Sequence, residues 1–540
     1  MKLNQLLKRE RLGLILFLAI AIGLVIRLYL SWLDVETLID KFLGEDHFYY
    51  LTLARNIALG KGVTFDGLAA TNGFHPLYPF MLVPLFKFTY ADISMPVHLA
   101  LTMLSLFNVL TAIFVFKIVE ILGSRKAGLL AALLWLFNPY VISLMLTGVE
   151  GALYAFFISA SIFWYLRIRL RNQYTLKNML ILGVLIGITF LCRTDAIFLF
   201  VAVLLDLGYK LLRQSGLSVN SLSRTAIYCF AALAVASPWL IWNLANFGTI
   251  MQTSGQSIAY MMHQRYLFER GSYLSFSFVV GLACGVMGLI DLVLQFATGH
   301  ALLSVLVLGL VGGVALSQVA RQSGNRLKDW KIGNLNFALL FVIFLVAYYA
   351  LWQWTTQPWY FMSMVLVATL YIGLATDFLG RNINVGKYIS PNKALTLIFV
   401  FIAMVFVFRG AMLYDSHTPN IALYQSAVWI KENIPEDQRI GAFEAGILGY
   451  YSGKTVINLD GVMNNNAAQA FRNNKLLEYI EQEDIAYIAL DQVAVNTTKY
   501  FPFFRNGEAD QFLSRLTEVH VVQRPSSSGW GDSVLYQFNP

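Results

Sequence analysis

Long apolar runs alternate with short basic stretches over the first 412 positions of the chain. A membrane-spanning helix needs about 20 apolar residues. A window of that length predicts spans near 12–33, 96–121, 127–147, 150–166, 178–192, 194–209, 225–246, 301–319, 335–355, 361–380 and 395–412. The fifth and sixth are short because Arg193-Thr194-Asp195 splits one apolar stretch. The run at 274–298 is apolar too, but a span there breaks the parity, since the basic stretches 210–224 and 321–331 belong on one side. It reads as a re-entrant or interfacial segment.

Beyond position 412 the pattern changes. An amphipathic stretch, Ile421–Glu432, precedes Arg439–Phe443, and short strand-like runs follow at Lys454–Asn458, Ile485–Leu490, Val519–Gln523 and Val534–Phe538. Short strands interleaved with helical pattern predict a small α/β domain. The expected fold is a polytopic α-helical membrane protein of about eleven transmembrane helices with a C-terminal soluble α/β domain. Its parts are a membrane domain, 1–412, with a large first loop at 34–95, and a soluble domain, 413–540.

Composition supports the membrane reading. Of the 540 residues, 57% are hydrophobic and 13% charged, against about 45–50% and about 25% in soluble domains. A soluble enzyme, a disordered chain and a disulfide scaffold are excluded. Cys192, Cys229 and Cys284 all lie in apolar segments.

The net charge of +8 is unevenly spread. Residues 413–540 hold 9 Lys/Arg and 15 Asp/Glu, a net of −6, and residues 1–412 hold 30 and 16, a net of +14. Of those 30 cations, 20 fall in six stretches between apolar runs: 2–11, 125–126, 167–177, 210–224, 321–331 and 381–393. That is positive-inside topology, not a phosphate-binding stripe, so nucleic acid is not an expected partner. The N-terminus is expected on the inner side of the cytoplasmic membrane and the C-terminal domain on its outer side. The basic start of Met1–Leu33 resembles a signal sequence but lacks a small-residue cleavage site, so it reads as the first anchor.

This topology sends most of the unusual polar residues to the outer side: Glu45 and Asp46, His75, Glu150, Arg193 and Asp195, Asn246, Gln252–Ser254, His263–Arg265 and Gln353–Trp359. Ionisable groups at membrane depth are costly and usually face a cavity or a partner, so their convergence predicts one polar outer cavity. Tyr49, Leu53 and Ile57 recur at helical spacing, which predicts a helix over 46–58 lying on the membrane, with Asp46 at its start. There the helix dipole favours a carboxylate. A plain helix cap is the other reading of Asp46, and ordering of a Pro turn the other reading of His75.

The run Asp46–Ala58 resembles the first-loop motif of the GT-C superfamily of integral-membrane glycosyltransferases, which carries an acidic start followed by paired tyrosines and Ala-Arg-Asn. The bacterial and archaeal members related to the protein mannosyltransferase and arabinofuranosyltransferase groups are the nearer likeness. Further matches follow in chain order: Asn72–Leu77, Thr147-Gly148-Val149-Glu150, Leu191–Asp195, Pro238–Asn243 with Phe247-Gly248 and Thr253-Ser254-Gly255, Trp359-Tyr360-Phe361, and Glu444–Tyr450 with Ile457–Gly461. Three positions depart from the pattern. His47 replaces the second acid of the first motif, Glu444 the usual Asp, and Thr253 a common Pro.

The resemblance implies a transferase that moves a sugar from a polyprenyl-phosphate carrier to a glycan, lipid or protein acceptor at the outer membrane face, with inversion. It makes Asp46 the base, and a carboxylate of low pKa suffices for that role. Arg193 is the first choice for the lipid phosphate because a guanidinium clamps phosphate oxygens bidentately, and Arg265 is the second. Asp195 is the alternative partner of Arg193 in a structural ion pair. Glu150, His75 and His263 are candidates for sugar or phosphate contact, with helix capping the other role of Glu150. Trp352, Trp354, Trp359 and Tyr360 either stack on a sugar or form an interfacial aromatic belt. Asp46, His75 and Glu150 have the donor types for a divalent cation but no tight ligand spacing, which leaves metal dependence open. A lipid or polysaccharide transporter, and a polysaccharide ligase using a lipid diphosphate, are the competing readings.

Overall fold

The computed structural model describes residues 2–89, 92–216, 218–270, several positions between 286 and 296, 331–351, 357–382, 391–492, 503–504, 508–525 and 530–539. Among these, seven helices are long and apolar enough to cross a membrane, or eight if the pair Arg125–Phe137 and Pro139–Leu146, bent by 48°, counts as one span. The bend has a local cause. The Asn138 side chain accepts from the Tyr140 N–H at 3.0 Å and so caps the second helix, while Pro139 supplies no N–H to continue the first. The chain is a multi-pass membrane protein, mostly helical, with a small sheet near its C-terminal end.

Ten of the eleven expected spans fall on described helices, the short fifth on Leu176–Cys192 and the sixth on Ile197–Ser215. The span expected at 301–319, the re-entrant segment at 274–298, and Trp352 and Trp354 lie outside the described residues. Leu176–Cys192 lies tightly against Val219–Phe247. A Cβ on Gly183 would stand 2.5 Å from the Tyr228 carbonyl oxygen, and one on Gly187 would stand 2.8 Å from that of Ala232. Small residues four apart let helix backbones approach in a membrane, and here the approach fixes the helix end that carries Arg193.

One prediction about the first loop is corrected. The helix Glu45–Ala58 does not lie on the membrane with one apolar face down. His47 through Ala54 are all buried, because the loop helix Leu77–Phe88 packs on one side and the soluble-domain helix Gly446–Tyr451 on the other. Arg55 donates to the backbone oxygens of Gly449 and Tyr450, each at 2.9 Å.

The soluble domain is built on five strands: β1 Arg439–Ala442, β2 Thr455–Asn458, β3 Ile485–Asp491, β4 Leu516–Val522 and β5 Ser533–Phe538. Their order is β2-β1-β3-β5-β4. β1 runs parallel to β2 and β3, and β5 runs antiparallel to β3 and β4. The alternating runs read from the sequence each match a strand, and Ile421–Glu432 falls on the helix Asn420–Asn433. Ligand sites in such sheets favour the carboxyl ends of parallel strands, and those ends here face the membrane part. After β1, the Ala445 N–H donates to the Tyr49 hydroxyl (3.1 Å) and the Gly446 N–H to Glu45 Oε1 (2.6 Å). After β2, the Gly461 carbonyl accepts from the Thr253 and Ser257 hydroxyls at 3.1 and 3.0 Å.

Candidate active site

A cavity of about 130 Å³ lies where these loops meet, with Asp46, His75, Glu150, Arg193, Asp195, Gln252, Trp359 and Tyr360 in its wall. Seven of the eleven candidate residues named from the sequence therefore meet in one place. His263 sits half-buried on the helix Thr253–Arg270, away from that wall. The Arg265 side chain lies outside the described residues. A larger hollow of about 1290 Å³ is lined mostly by apolar residues such as Leu12, Ile402 and Phe406 and contains none of the predicted site residues.

Asp46 occupies the first turn of its helix but does not cap it. Gly44 is the capping residue, with no side-chain bond. Nor is its pKa low. Burial, with the nearby charges of Glu150 and Asp460, raises it to about 7, and Arg193 only partly opposes them. Desolvation and like charges outweigh the helix dipole here. Glu45, beside it, is likewise pushed up by burial and by Glu444.

Arg193 sits in an extended residue (φ −154°, ψ 130°) between two helices, so its side chain leaves the chain where a helix would otherwise direct it. Its Nη1 donates to Glu150 Oε1 at 2.6 Å, and its Nε and Nη2 donate to Asp195 Oδ2 at 3.2 and 3.0 Å. The guanidinium lies over the Tyr360 ring, 4.8 Å from its centroid. Glu150 stands at the start of Gly151–Arg171 yet makes no capping bond; its carboxylate serves Arg193 instead.

His75 can be assigned a tautomer from its neighbours. Its Nδ1 receives the Gln252 amide (3.1 Å) and the Thr194 N–H (3.4 Å), so the proton is on Nε2, which lies 4.0 Å from Glu150 Oε1. Burial lowers its pKa to about 4, so the ring is neutral near pH 7. His47, the first of the three departures from the motif pattern, points elsewhere. Its Nδ1 donates to the Gly148 carbonyl at 2.7 Å and holds the loop that carries Glu150.

Sequence reasoning missed Tyr349, whose hydroxyl donates to Asp195 Oδ2 at 2.8 Å and whose ring stacks on Tyr360. A tyrosine inside an apolar span gives no signal of its own. It also missed the contribution of the soluble domain, whose Val462 and Met463 close one side of the cavity. Among the described residues no three His, Cys, Asp or Glu side chains group as metal ligands. Glu150, one of the expected donors, is already held by Arg193. Among the described residues, then, Asp46, His75 and Glu150 do not stand as a preformed ligand group.

Residues 85–242 match the dolichyl-phosphate-mannose-protein mannosyltransferase family, and residues 413–530 match a domain of unknown function. No curated protein matches the chain. Among solved structures, the ArnT protein of Cupriavidus metallidurans bound to undecaprenyl phosphate is similar over 96% of this chain and 97% of its own, at 10% identity and a TM-score of 0.56. The oligosaccharyltransferase AglB of Archaeoglobus fulgidus, in complex with an inhibitory peptide and a dolichol-phosphate, is similar over 95% of this chain and 74% of its own, at 14% identity and a TM-score of 0.53. An oligosaccharyltransferase of Archaeoglobus fulgidus in complex with zinc and sulfate is similar over 96% of this chain and 73% of its own, at 14% identity and a TM-score of 0.56. The likeness read from the motifs is borne out: the chain is a multi-pass membrane protein with the fold of the GT-C glycosyltransferases.

Proposed function

We propose that the chain is a glycosyltransferase that moves a sugar from a polyprenyl-phosphate carrier to an acceptor hydroxyl, with inversion, on the outer face of the cytoplasmic membrane. In this reading residues 1–412 are the catalytic membrane part and 413–540 an extracytoplasmic domain that closes the site. The observation that carries it is the meeting of Asp46, His75, Glu150, Arg193 and Asp195 around one cavity. Support comes from two proteins of the same fold, which were solved with undecaprenyl phosphate and with a dolichol-phosphate.

The acceptor oxygen attacks the anomeric carbon, and the bond from that carbon to the phosphate oxygen breaks, its electron pair leaving with the phosphate. Asp46 takes the hydroxyl proton. A carboxylate with a pKa near 7 is a stronger base than an ordinary one and is still half ionised at neutrality. Arg193 stabilises the negative charge that builds on the phosphate. A guanidinium has five N–H donors, and the hydrogen bonds to Glu150 and Asp195 occupy three, which leaves two for phosphate. Glu150 and Asp195 hold that guanidinium in place. His75 presents its Nε2–H to Glu150 and the sugar hydroxyls, and Trp359 and Tyr360 offer ring faces to the sugar.

The test is a panel of radiolabelled polyprenyl-phosphate sugars offered to the protein in lipid nanodiscs. Loss of label from one of them, by transfer or slow hydrolysis, establishes the reaction class and names the sugar. NMR of the released anomer then reads inversion or retention. If no donor is consumed or bound, the proposal fails.

A further inference from the structure

Beside the catalytic cavity lies a second hollow of about 380 Å³, with Met251 and Tyr348 common to both walls. Together their volumes fall in the usual range of small-molecule sites, about 300–1,000 Å³. The second hollow is also lined by Gln256, Tyr260 and Arg472. Arg472 is the last residue of the helix Asn465–Arg472 in the soluble domain. The start of that helix is tied to the membrane part through Asn465, whose amide donates to Asn72 Oδ1 at 2.9 Å.

The state of this arginine is unusual. Its guanidinium lies 5.9 Å from the centroid of the Tyr260 ring, and its Nη1 makes one long contact, 3.3 Å, to Gln256 Oε1. Its Nη2 is shut off from water and has no acceptor among the described residues. Leaving a buried charged donor unmatched costs more than an ordinary hydrogen bond returns, so the arrangement is suited to a ligand that supplies the acceptor. Among the described residues, the cations lining the two hollows are Arg193 and Arg472. Arg193 is shared by two carboxylates, whereas Arg472 makes no ion pair among the described residues and brings its full charge.

We infer that Arg472 binds a phosphate group carried by a lipid, held in the second hollow beside the catalytic cavity. This rests on the transferase reading and adds to it a contact made by the soluble domain. One phosphate oxygen displaces Gln256 from Nη1 and another meets Nη2, giving the paired geometry in which guanidinium and phosphate match. Gln256 keeps its own anchor, since its amide donates to the Met251 carbonyl at 2.8 Å. The same chemistry is present in the carrier lipid and in phosphatidylglycerol of the bilayer.

The test uses full-length protein in phosphatidylcholine nanodiscs, titrated with a sugar-free polyprenyl monophosphate and, separately, with the matching polyprenol. Arg472→Gln is expected to weaken monophosphate binding at least tenfold while leaving polyprenol binding unchanged. Arg472→Lys is expected to recover part of the loss, and Lys475→Gln, an exposed cation three residues on, to behave as wild type. Phosphatidylglycerol competing in wild type but not in Arg472→Gln would assign the site to any lipid phosphate; no competition would assign it to the carrier. Equal monophosphate binding by wild type and Arg472→Gln overturns the inference alone. A wild type that fails to distinguish monophosphate from alcohol overturns the transferase reading and the inference with it.

Discussion

Arg193 Nη1 and Glu150 Oε1 lie 2.6 Å apart although 43 positions separate them in the chain, and Asp195 grips the same guanidinium from its other side. Removing one partner of a buried pair strands a charge, at a cost of about 3–5 kcal/mol. Arg193→Gln and Glu150→Gln should each lower stability strongly, and the double variant less than their sum, with a coupling of about 1–3 kcal/mol. Denaturation of the single and double variants in one detergent measures it. Arg193→Gln should also raise the apparent donor KM. Donor kinetics that do not change would leave the pair a structural one only.

A second prediction concerns pH. Asp46 must be ionised to act as base, and its pKa is raised to about 7, so kcat/KM should climb through neutral pH and level off near pH 8. His75 and His47, held near 4, add no limb in this range. The sign for stability is opposite. A carboxyl whose folded pKa is raised stabilises the fold most below its unfolded value, near 4, and that contribution is lost as pH rises through 7. Asp46→Asn should therefore melt no lower than wild type at pH 8, and relatively higher there than at pH 5. Thermal scans at both pH values check this.

Docking of the soluble domain is open to a sharper test. A Cβ on Gly73 would sit 1.8 Å from the Val462 carbonyl oxygen, a distance that no side-chain adjustment relieves. Gly73→Ala should push the 459–465 loop off the cavity and lower the transfer rate by at least tenfold. It should also speed release of the C-terminal domain by limited proteolysis. A variant with wild-type cleavage and rate would show that this contact does not hold the site closed.

How much of this was legible in the sequence follows from the physics of each feature. The spanning helices were, because burial in lipid demands long apolar runs that little else produces. Asp46, Glu150, Arg193 and Asp195 were, because a charge beside apolar spans is conspicuous. The burial of Glu45–Ala58 was not. It depends on a domain 401 positions away, whose Gly446 N–H reaches Glu45, and no local pattern encodes that. The raised pKa of Asp46 was hidden for the same reason, since Asp460 and Glu150 come from distant segments. Arg472 was one of nine cations in an acidic domain, and only its place beside Tyr260 and Gln256 sets it apart.

The central claim is that Asp46 takes the acceptor proton while the rest of the site binds the donor. The most direct measurement compares wild type and Asp46→Asn in nanodiscs with the one radiolabelled donor that wild type consumes, reading donor binding and label transfer on the same samples. The account predicts donor affinity within about threefold of wild type and transfer reduced by at least a hundredfold, in keeping with the about 10²–10⁴-fold that general acid–base catalysis contributes. Near-normal transfer by Asp46→Asn would contradict it and remove Asp46 from the chemistry.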